Sequence, residues 1–254
     1  MYNLKLIIAY DGTNYAGWQV QKNANTVQAE IEKALKKILR ERVRIIGAGR
    51  TDSGVHAKAQ VANFKTEKPA TAESGRHLFC QKLKNALNAS LPGAIRVTGV
   101  KKVSEKFHSQ YDAKAKTYRY AILNGGIDDP FLDRYYFRVQ YPLNVLLMKK
   151  EAKALIGKHD FKSFQAKANL SPIKDTKRTV KKIAVKKKGR FIYLDFEADG
   201  FLHNMVRNIA GTLIETGRGY LPPGSMKKIL LSKNRRKAGP TAPARGLTLV
   251  RVKY

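Results

Sequence analysis

Val43-Arg44-Ile45-Ile46-Gly47-Ala48-Gly49-Arg50-Thr51-Asp52-Ser53-Gly54-Val55-His56, followed closely by Ala59-Gln60-Val61-Ala62-Asn63-Phe64, is the stretch from which the rest of the chain can be read. Its two ends, 43–48 and 59–65, are rich in β-branched and apolar residues and predict strands. Between Ile46 and Ala59 lie three glycines, an arginine and a carboxylate, more than a hairpin turn needs. Glycine there lets the backbone adopt positive φ or approach a ligand closely. A loop held between two strands is a common seat of binding and catalysis. Asp52 is therefore the candidate centre of any chemistry. The competing reading is a turn aspartate that bonds local amides.

Outward from this loop the pattern stays regular. Leu4 to Asp11 predicts a strand closed by Asp11-Gly12. Thr13 to Lys22 predicts a loop carrying Tyr15, Trp18, Gln19 and Gln21. Asn25, with Gln28 three residues on, predicts a capping box. Val27, Ile31, Ala34, Leu35 and Ile38 supply the apolar face of the helix it opens. A second helix is expected over 75–89, with Leu78, Phe79, Leu83 and Leu87 on one face and a break at Leu91-Pro92-Gly93. A strand from Ile95 to Val103 follows. The order β-α-β-β-α-β is that of the ferredoxin-like fold, an α+β arrangement with two helices on one face of an antiparallel sheet.

The second half repeats the order with larger insertions. Strands are expected at 117–123, 178–187, 190–198 and 247–254, with helices at 143–156, 202–216 and 223–231. The expected architecture is two tandem ferredoxin-like (βαββαβ) units, 1–105 and 106–254, with antiparallel sheets forming a central cleft and the crossing at 104–116.

Composition narrows the class. The chain has 254 residues, of which 43% are hydrophobic, enough to bury a core. No apolar run is long enough to span a membrane, and the start reads as a strand rather than a secretion signal. A single cysteine, Cys80, excludes an internal disulfide and a cysteine-rich zinc site, and its apolar surroundings predict a buried structural thiol. His56, His77, His108, His159 and His203 show no metal-ligand spacing, so no metal is implied. These features fit a reducing, cytoplasmic compartment. Fifty basic against 19 acidic residues give a net charge of +31. A polyanion relieves that self-repulsion, and nucleic acid is the default partner. The plainer alternative is a proteome in which most proteins are basic.

The glycine-rich loop fits neither common phosphate motif. Gly49 and Gly54 have the Walker spacing, but Val55 stands where the lysine must be. Asp52 occupies the third glycine position of the dinucleotide pattern. No nucleotide cofactor is implied. What remains is a carboxylate, which is ionised in water at neutral pH and can act as a nucleophile without a separate base.

Gly49-Arg50-Thr51-Asp52-Ser53-Gly54-Val55-His56-Ala57, with Gln60-Val61 and Phe64, resembles the catalytic signature of TruA-type tRNA pseudouridine synthases. The resemblance continues through Tyr10 to Gln19, Thr26-Val27-Gln28, Phe107-His108 and Tyr118-Arg119-Tyr120. It extends to Gly157 to Phe161 with Ser163-Phe164, Phe201 to Ile209 with Gly211, and Thr241 to Ala244 with Gly246-Leu247. It covers nearly the whole chain in the family's order. One departure is Gln110, where the family usually has an arginine two residues after the histidine. Glutamine keeps donor capacity but loses the charge and the fork.

The resemblance implies isomerisation of uridine to pseudouridine in tRNA, at positions 38 to 40 of the anticodon stem-loop, by a homodimer without a cofactor. It implies that Asp52 is the essential carboxylate, attacking C1′ or taking a 2′ proton. Tyr118 is implied to stack on the uracil or to accept the C5 proton, the alternative being a core or cross-strand tyrosine. For Arg207 it implies an ion pair with Asp52 across the cleft, the alternative being a solvated surface arginine. Arg50 would contact phosphate or fill the stack left by a flipped base, against a local ion pair as the alternative. His56 and His203 are structural or RNA-contacting, and Trp18 is a core residue or a base stack. The basic runs Lys186-Lys187-Lys188-Gly189-Arg190 and Lys233, Arg235, Arg236, Lys237 are expected to follow RNA phosphates, with Lys188 and Arg190 as the named contacts. Two rivals remain. A non-catalytic RNA-recognition module lacks its signature on 59–64. A structural ribosomal-type protein leaves the Gly-Arg-Asp loop without a purpose.

Overall fold

A computed structural model describes residues 1–67, 73–127, 129–166 and 175–254. It is a mixed α+β structure of mostly antiparallel strands with five α-helices among the described residues. The chain divides into two compact units, 1–114 with 249–254, and 115–248. No described helix is long and apolar enough to cross a membrane.

The first unit has the order β1 (Tyr2–Tyr10), α1 (Val27–Leu39), β2 (Ile46–Gly47), β3 (His56–Thr66), α2 (Glu73–Ser90) and β4 (Ile95–Val103). β1 is the middle strand, antiparallel to β3 on one side and to β4 on the other. Leu4, Leu6 and Ile8 alternate inward from it and are fully buried, as a period of two requires. α1 turns Val27, Ile31, Ala34 and Leu35 into the core. Its cap differs from expectation. Thr26, not Asn25, is the N-cap, its Oγ1 accepting from Ala29 N–H at 3.4 Å. Gln28 forms no capping box. It is buried, accepts from Val20 N–H and donates to Ile45 O at 3.1 Å.

That contact also explains why β2 is shorter than the expected 43–48. Ile45 N–H donates to Glu32 Oε1 at 3.0 Å, so both backbone groups of Ile45 are taken by side chains of α1 rather than by a strand. On α2 the inward side chains are Cys80, Leu83 and Leu87, whereas Leu78 is exposed. Cys80 is the buried thiol its surroundings predicted, and burial pushes its pKa up.

Residues 104–112 are held to the first unit by buried amides. Asn3 Nδ2 donates to Ser104 O and Phe107 O at 2.9 Å, and Asn63 Oδ1 accepts from Ser109 N–H and Oγ. Tyr254, at the end of β10 (Leu247–Lys253), donates its hydroxyl to Ser109 O at 2.8 Å.

The second unit contains β5 (Ala115–Asn124), β6 (Phe137–Val139), α3 (Val145–Ala152), β7 (Gly157–Asp160), β8 (Lys177–Lys188), β9 (Phe191–Ala198), α4 (Met205–Gly217) and α5 (Ser225–Ser232). β9 runs antiparallel to β5 and to β8, β7 lies outside β8, and β6 adds in parallel to β5. β6 and β7 were not expected from the sequence. β8 and β9, both expected as strands, form a hairpin, in register at Lys188 and Phe191, with Gly189-Arg190 at the tip.

Candidate active site

Asp52 lies in the loop between β2 and β3, half-buried, with Arg50 exposed two residues before it. The loop is clamped by residues 12–18. Trp18 N–H donates to Thr51 O at 3.1 Å, and Gly54 N–H donates to Tyr15 O at 3.2 Å. Val55 N–H closes a turn onto Asp52 O at 3.1 Å. From β1, Tyr10 OH pairs with Thr51 Oγ1 at 2.8 Å, and from β3, Gln60 Nε2 holds Gly49 O at 2.8 Å. Both are buried, and burial pushes the Tyr10 phenol well above its ordinary pKa, so it stays a neutral hydrogen-bonding group. The clamp needs glycine. A Cβ on Gly12 would stand 2.0 Å from Val55 O, and one on Gly17, at φ +92°, would stand 2.5 Å from Thr51 O.

His56 and Trp18 serve this loop's fold. Trp18 is 1% exposed, which excludes base stacking by its ring in this conformation. His56 is 3% exposed, and its Nδ1 accepts from Gly12 N–H at 3.1 Å. The same nitrogen lies 3.2 Å from Asp11 Oδ1, which already accepts from Thr13 N–H and Oγ1.

In the second unit, Tyr118 and Tyr120 share one face of β5 but differ in surroundings. Tyr120 is fully buried, and its hydroxyl donates to Pro243 O at 2.8 Å. Tyr118 retains 7% exposure and stands edge-on to Phe201, with ring centroids 5.2 Å apart. Arg119, on the other face, forms a bidentate pair with Asp195 at 2.6 and 2.9 Å.

Arg207 sits in the first turn of α4. Every other residue of this helix is buried, so α4 is a core helix. Thr212 and Thr216 are accommodated because their hydroxyls donate to the carbonyls of Asn208 and Thr212, one turn back. The helix begins at Met205 rather than Leu202, because Asn204 takes the left-handed conformation (φ 57°) that asparagine tolerates. Arg207 Nη1 donates to Asn204 Oδ1 at 2.9 Å, and Nε donates to Ala242 O at 2.8 Å. These two acceptors orient its guanidinium. Sequence reasoning attached no role to Asn204 or Ala242, although Thr241-Ala242-Pro243 lies within the resemblance.

Lys188 and Arg190 are exposed at the β8–β9 tip, with Lys186 and Lys187 exposed beside them. In the second basic run Lys233, Arg236 and Lys237 are exposed, but Arg235 turns inward and bonds protein oxygens, correcting the expectation that it follows phosphate. A cavity of about 470 Å³ in the second unit is lined by Arg138, Arg218, Arg245 and residues 240–243. Its lining includes none of Asp52, Tyr118 and Arg207. Among the described residues no cluster of three or more metal-ligating side chains occurs.

A family model described as tRNA pseudouridine synthase matches residues 6–112 and 152–254. The chain is similar over its full length to three curated proteins each named tRNA pseudouridine synthase A. That of Thermoanaerobacter sp. (strain X514) is 48% identical over 254 residues, covering 100% of both chains. That of Moorella thermoacetica is 46% identical over 253 residues, covering 99% of both. That of Brevibacillus brevis is 41% identical over 254 residues, again covering 100% of both.

Proposed function

The chain belongs to the tRNA pseudouridine synthase family, and from that membership we propose that it isomerises uridine at positions 38 to 40 of the tRNA anticodon stem-loop, with Asp52 as the catalytic carboxylate. The observation that carries the activity is similarity over whole chains, at 48% identity for the Thermoanaerobacter relative. The two units are read as ferredoxin-like repeats. The orders β1-α1-β2-β3-α2-β4 and, with insertions, β5-α3-β8-β9-α4-β10 support this.

The reaction breaks the N1–C1′ bond, turns the uracil, joins C5 to C1′ and moves the C5 proton away while N1 regains one. Nothing is added or lost, so acid–base groups and a site that holds the free uracil suffice. In this reading the Asp52 carboxylate acts at the ribose, by attack on C1′ or removal of a 2′ proton. Tyr118 faces the uracil, and Arg207 orients the carboxylate through charge. The clamp on residues 47–56 supports the first role. Preorganised groups lose little freedom when substrate arrives. Arg50, exposed beside Asp52, contacts phosphate or fills the stack that the flipped uridine leaves, and Lys188 and Arg190 follow the backbone. The buried His56 acts through the loop fold. The active form is read as a homodimer.

The test is Asp52→Asn, followed by tritium release from tRNA labelled at C5 of uridine. Lost turnover with tRNA affinity kept within about threefold is expected, since one loop carboxylate contributes little to polyanion binding. Full activity in this variant removes Asp52 from the mechanism.

A further inference from the structure

We propose that Arg235 is a positioning residue for catalysis: through the segment 238–242 it sets the place of the Ala242 carbonyl that holds Arg207. The inference rests on the reading of Arg207 given above.

Residues 238–242 form no helix or strand, and Pro240 has no N–H to offer. The segment's backbone amides find backbone partners only at the two ends, Ala238 N–H on Arg235 O and Ala242 N–H on Arg207 O, so side chains hold what lies between. Thr212 Oγ1 accepts from Gly239 N–H at 3.0 Å, and Arg235 supplies the largest share of the rest. Its Nη1 donates to Ala238 O at 3.3 Å and Gly239 O at 2.9 Å. Its Nη2 donates to Asn208 Oδ1 at 2.9 Å and Thr241 Oγ1 at 3.1 Å. Thr241 Oγ1 in turn donates to Asn208 Oδ1 at 2.6 Å, closing a triangle on α4. Asn208 is fully buried and adjoins Arg207 in sequence, and its Nδ2 is fixed on Phe164 O at 2.7 Å. The next residue of the segment, Ala242, then bonds Arg207 twice. Its N–H donates to Arg207 O at 3.2 Å, and its carbonyl accepts from Arg207 Nε at 2.8 Å.

Only a planar fork can reach these four oxygens from one side chain, which a lysine ammonium cannot do. All four acceptors are neutral, so the guanidinium serves geometry and not charge pairing. Burial pushes its pKa down from the ordinary arginine value, unlike that of a solvated phosphate contact. Its neighbours Arg236 and Lys237 point to solvent. The basic run thus splits into one internal brace and an exposed remainder.

The experiment measures kcat, KM for tRNA and the salt dependence of binding for Arg235→Met, Arg235→Lys and Arg236→Met. Misplacing a catalytic group by a fraction of an ångström to an ångström costs on the order of 10- to 100-fold in rate. Arg235→Met is expected to lower kcat by about that factor. Its KM and salt slope should stay near those of the parent, and Arg235→Lys should fail to rescue. Arg236→Met is expected to raise KM instead. A raised KM, a shallower salt slope and rescue by lysine would make Arg235 a phosphate contact and overturn the proposal, as would an unchanged kcat. If Arg235→Met does not fold, Thr241→Val carries the test. It removes the hydroxyl that ties the segment to Asn208, and an unchanged kcat there overturns the proposal equally.

Arg207→Ala separates the two readings. If it keeps full kcat, the role of Arg207 and this inference fall together. If it loses kcat while Arg235→Met does not, only this inference falls. The double variant Arg207→Ala/Arg235→Met should be no slower than Arg207→Ala, because both act through one group; multiplicative losses overturn the brace.

Discussion

Val55 O lies where a single added carbon on Gly12 would collide with it, at 2.0 Å. The obstacle is backbone carbonyl, which cannot rotate aside as a side chain does, so relief must come from shifting 12–18 or 51–55. Gly12→Ala is therefore expected to lower stability by about 1–3 kcal/mol in urea titration, and to lower kcat of the folded fraction because Asp52 rides on the displaced loop. Equal kcat per folded molecule would show that the loop's backbone position is unimportant to turnover. Other residues were ambiguous in sequence for the same reason that makes them clear here. Tyr118 and Tyr120 alternate onto one face and are both buried, and only the structure separates the fully enclosed one, bonded to Pro243 O, from the one that keeps 7% exposure and packs on Phe201. Trp18 reads equally as core or base stack until its 1% exposure is known.

At the scale of elements, α1 was legible from its apolar spacing, while its cap slipped by one residue because Asn25 and Thr26 are both good cap types. α5 shows a limit of a different kind. Its N-cap is Gly224, which has no side chain to offer, and the capping oxygens come from Glu151 on α3. Oε1 accepts from Gly224 N–H at 2.7 Å and Oε2 from Met226 N–H at 3.1 Å. Glu151 is 5% exposed, and its charge sits at the positive end of the helix. Glu151→Ala leaves two helix amides without acceptors and should cost about 1–3 kcal/mol. Thermal melting measures the total, and amide exchange should show the first turn of α5 opening before the rest. Uniform exchange across the unit would argue against a local cap. No local pattern could reveal this pairing, since Glu151 and Gly224 are 73 residues apart.

For the whole molecule, the net charge of +31 is the dominant electrostatic fact. Not all of it faces solvent unpaired. Arg119 is spent on Asp195, Arg218 on Glu215 at 2.7 Å, and Arg235 on the segment it braces. The exposed remainder includes the β8–β9 tip, Lys186 to Arg190. Affinity for tRNA should fall steeply with salt, each phosphate neutralised adding about 0.7 to 0.9 to the log–log slope. Lys188→Ala and Arg190→Ala should each flatten that slope by up to about one. A slope near zero for the parent chain would contradict the polyanion reading, and unchanged slopes in both variants would move the contact away from the hairpin.

What the sequence by itself determined was the α+β class, the position of most strands and helices, the single buried thiol and the membership its motifs announced. These depend on local periodicity and on residue types in order, which the chain carries in one dimension. The tertiary structure alone decided which backbone groups of Ile45 were free to make a strand, which tyrosine of β5 is fully enclosed, that α4 is buried on all sides but one residue, and that Arg235 turns inward. Each depends on partners brought together from distant positions, where burial and hydrogen-bond satisfaction override local preference. The Gly47–His56 loop stands between the two. Its residues were conspicuous in sequence, but the clamp that holds Asp52 in place comes from residues 10–18 and Gln60, and only the folded unit brings them to it.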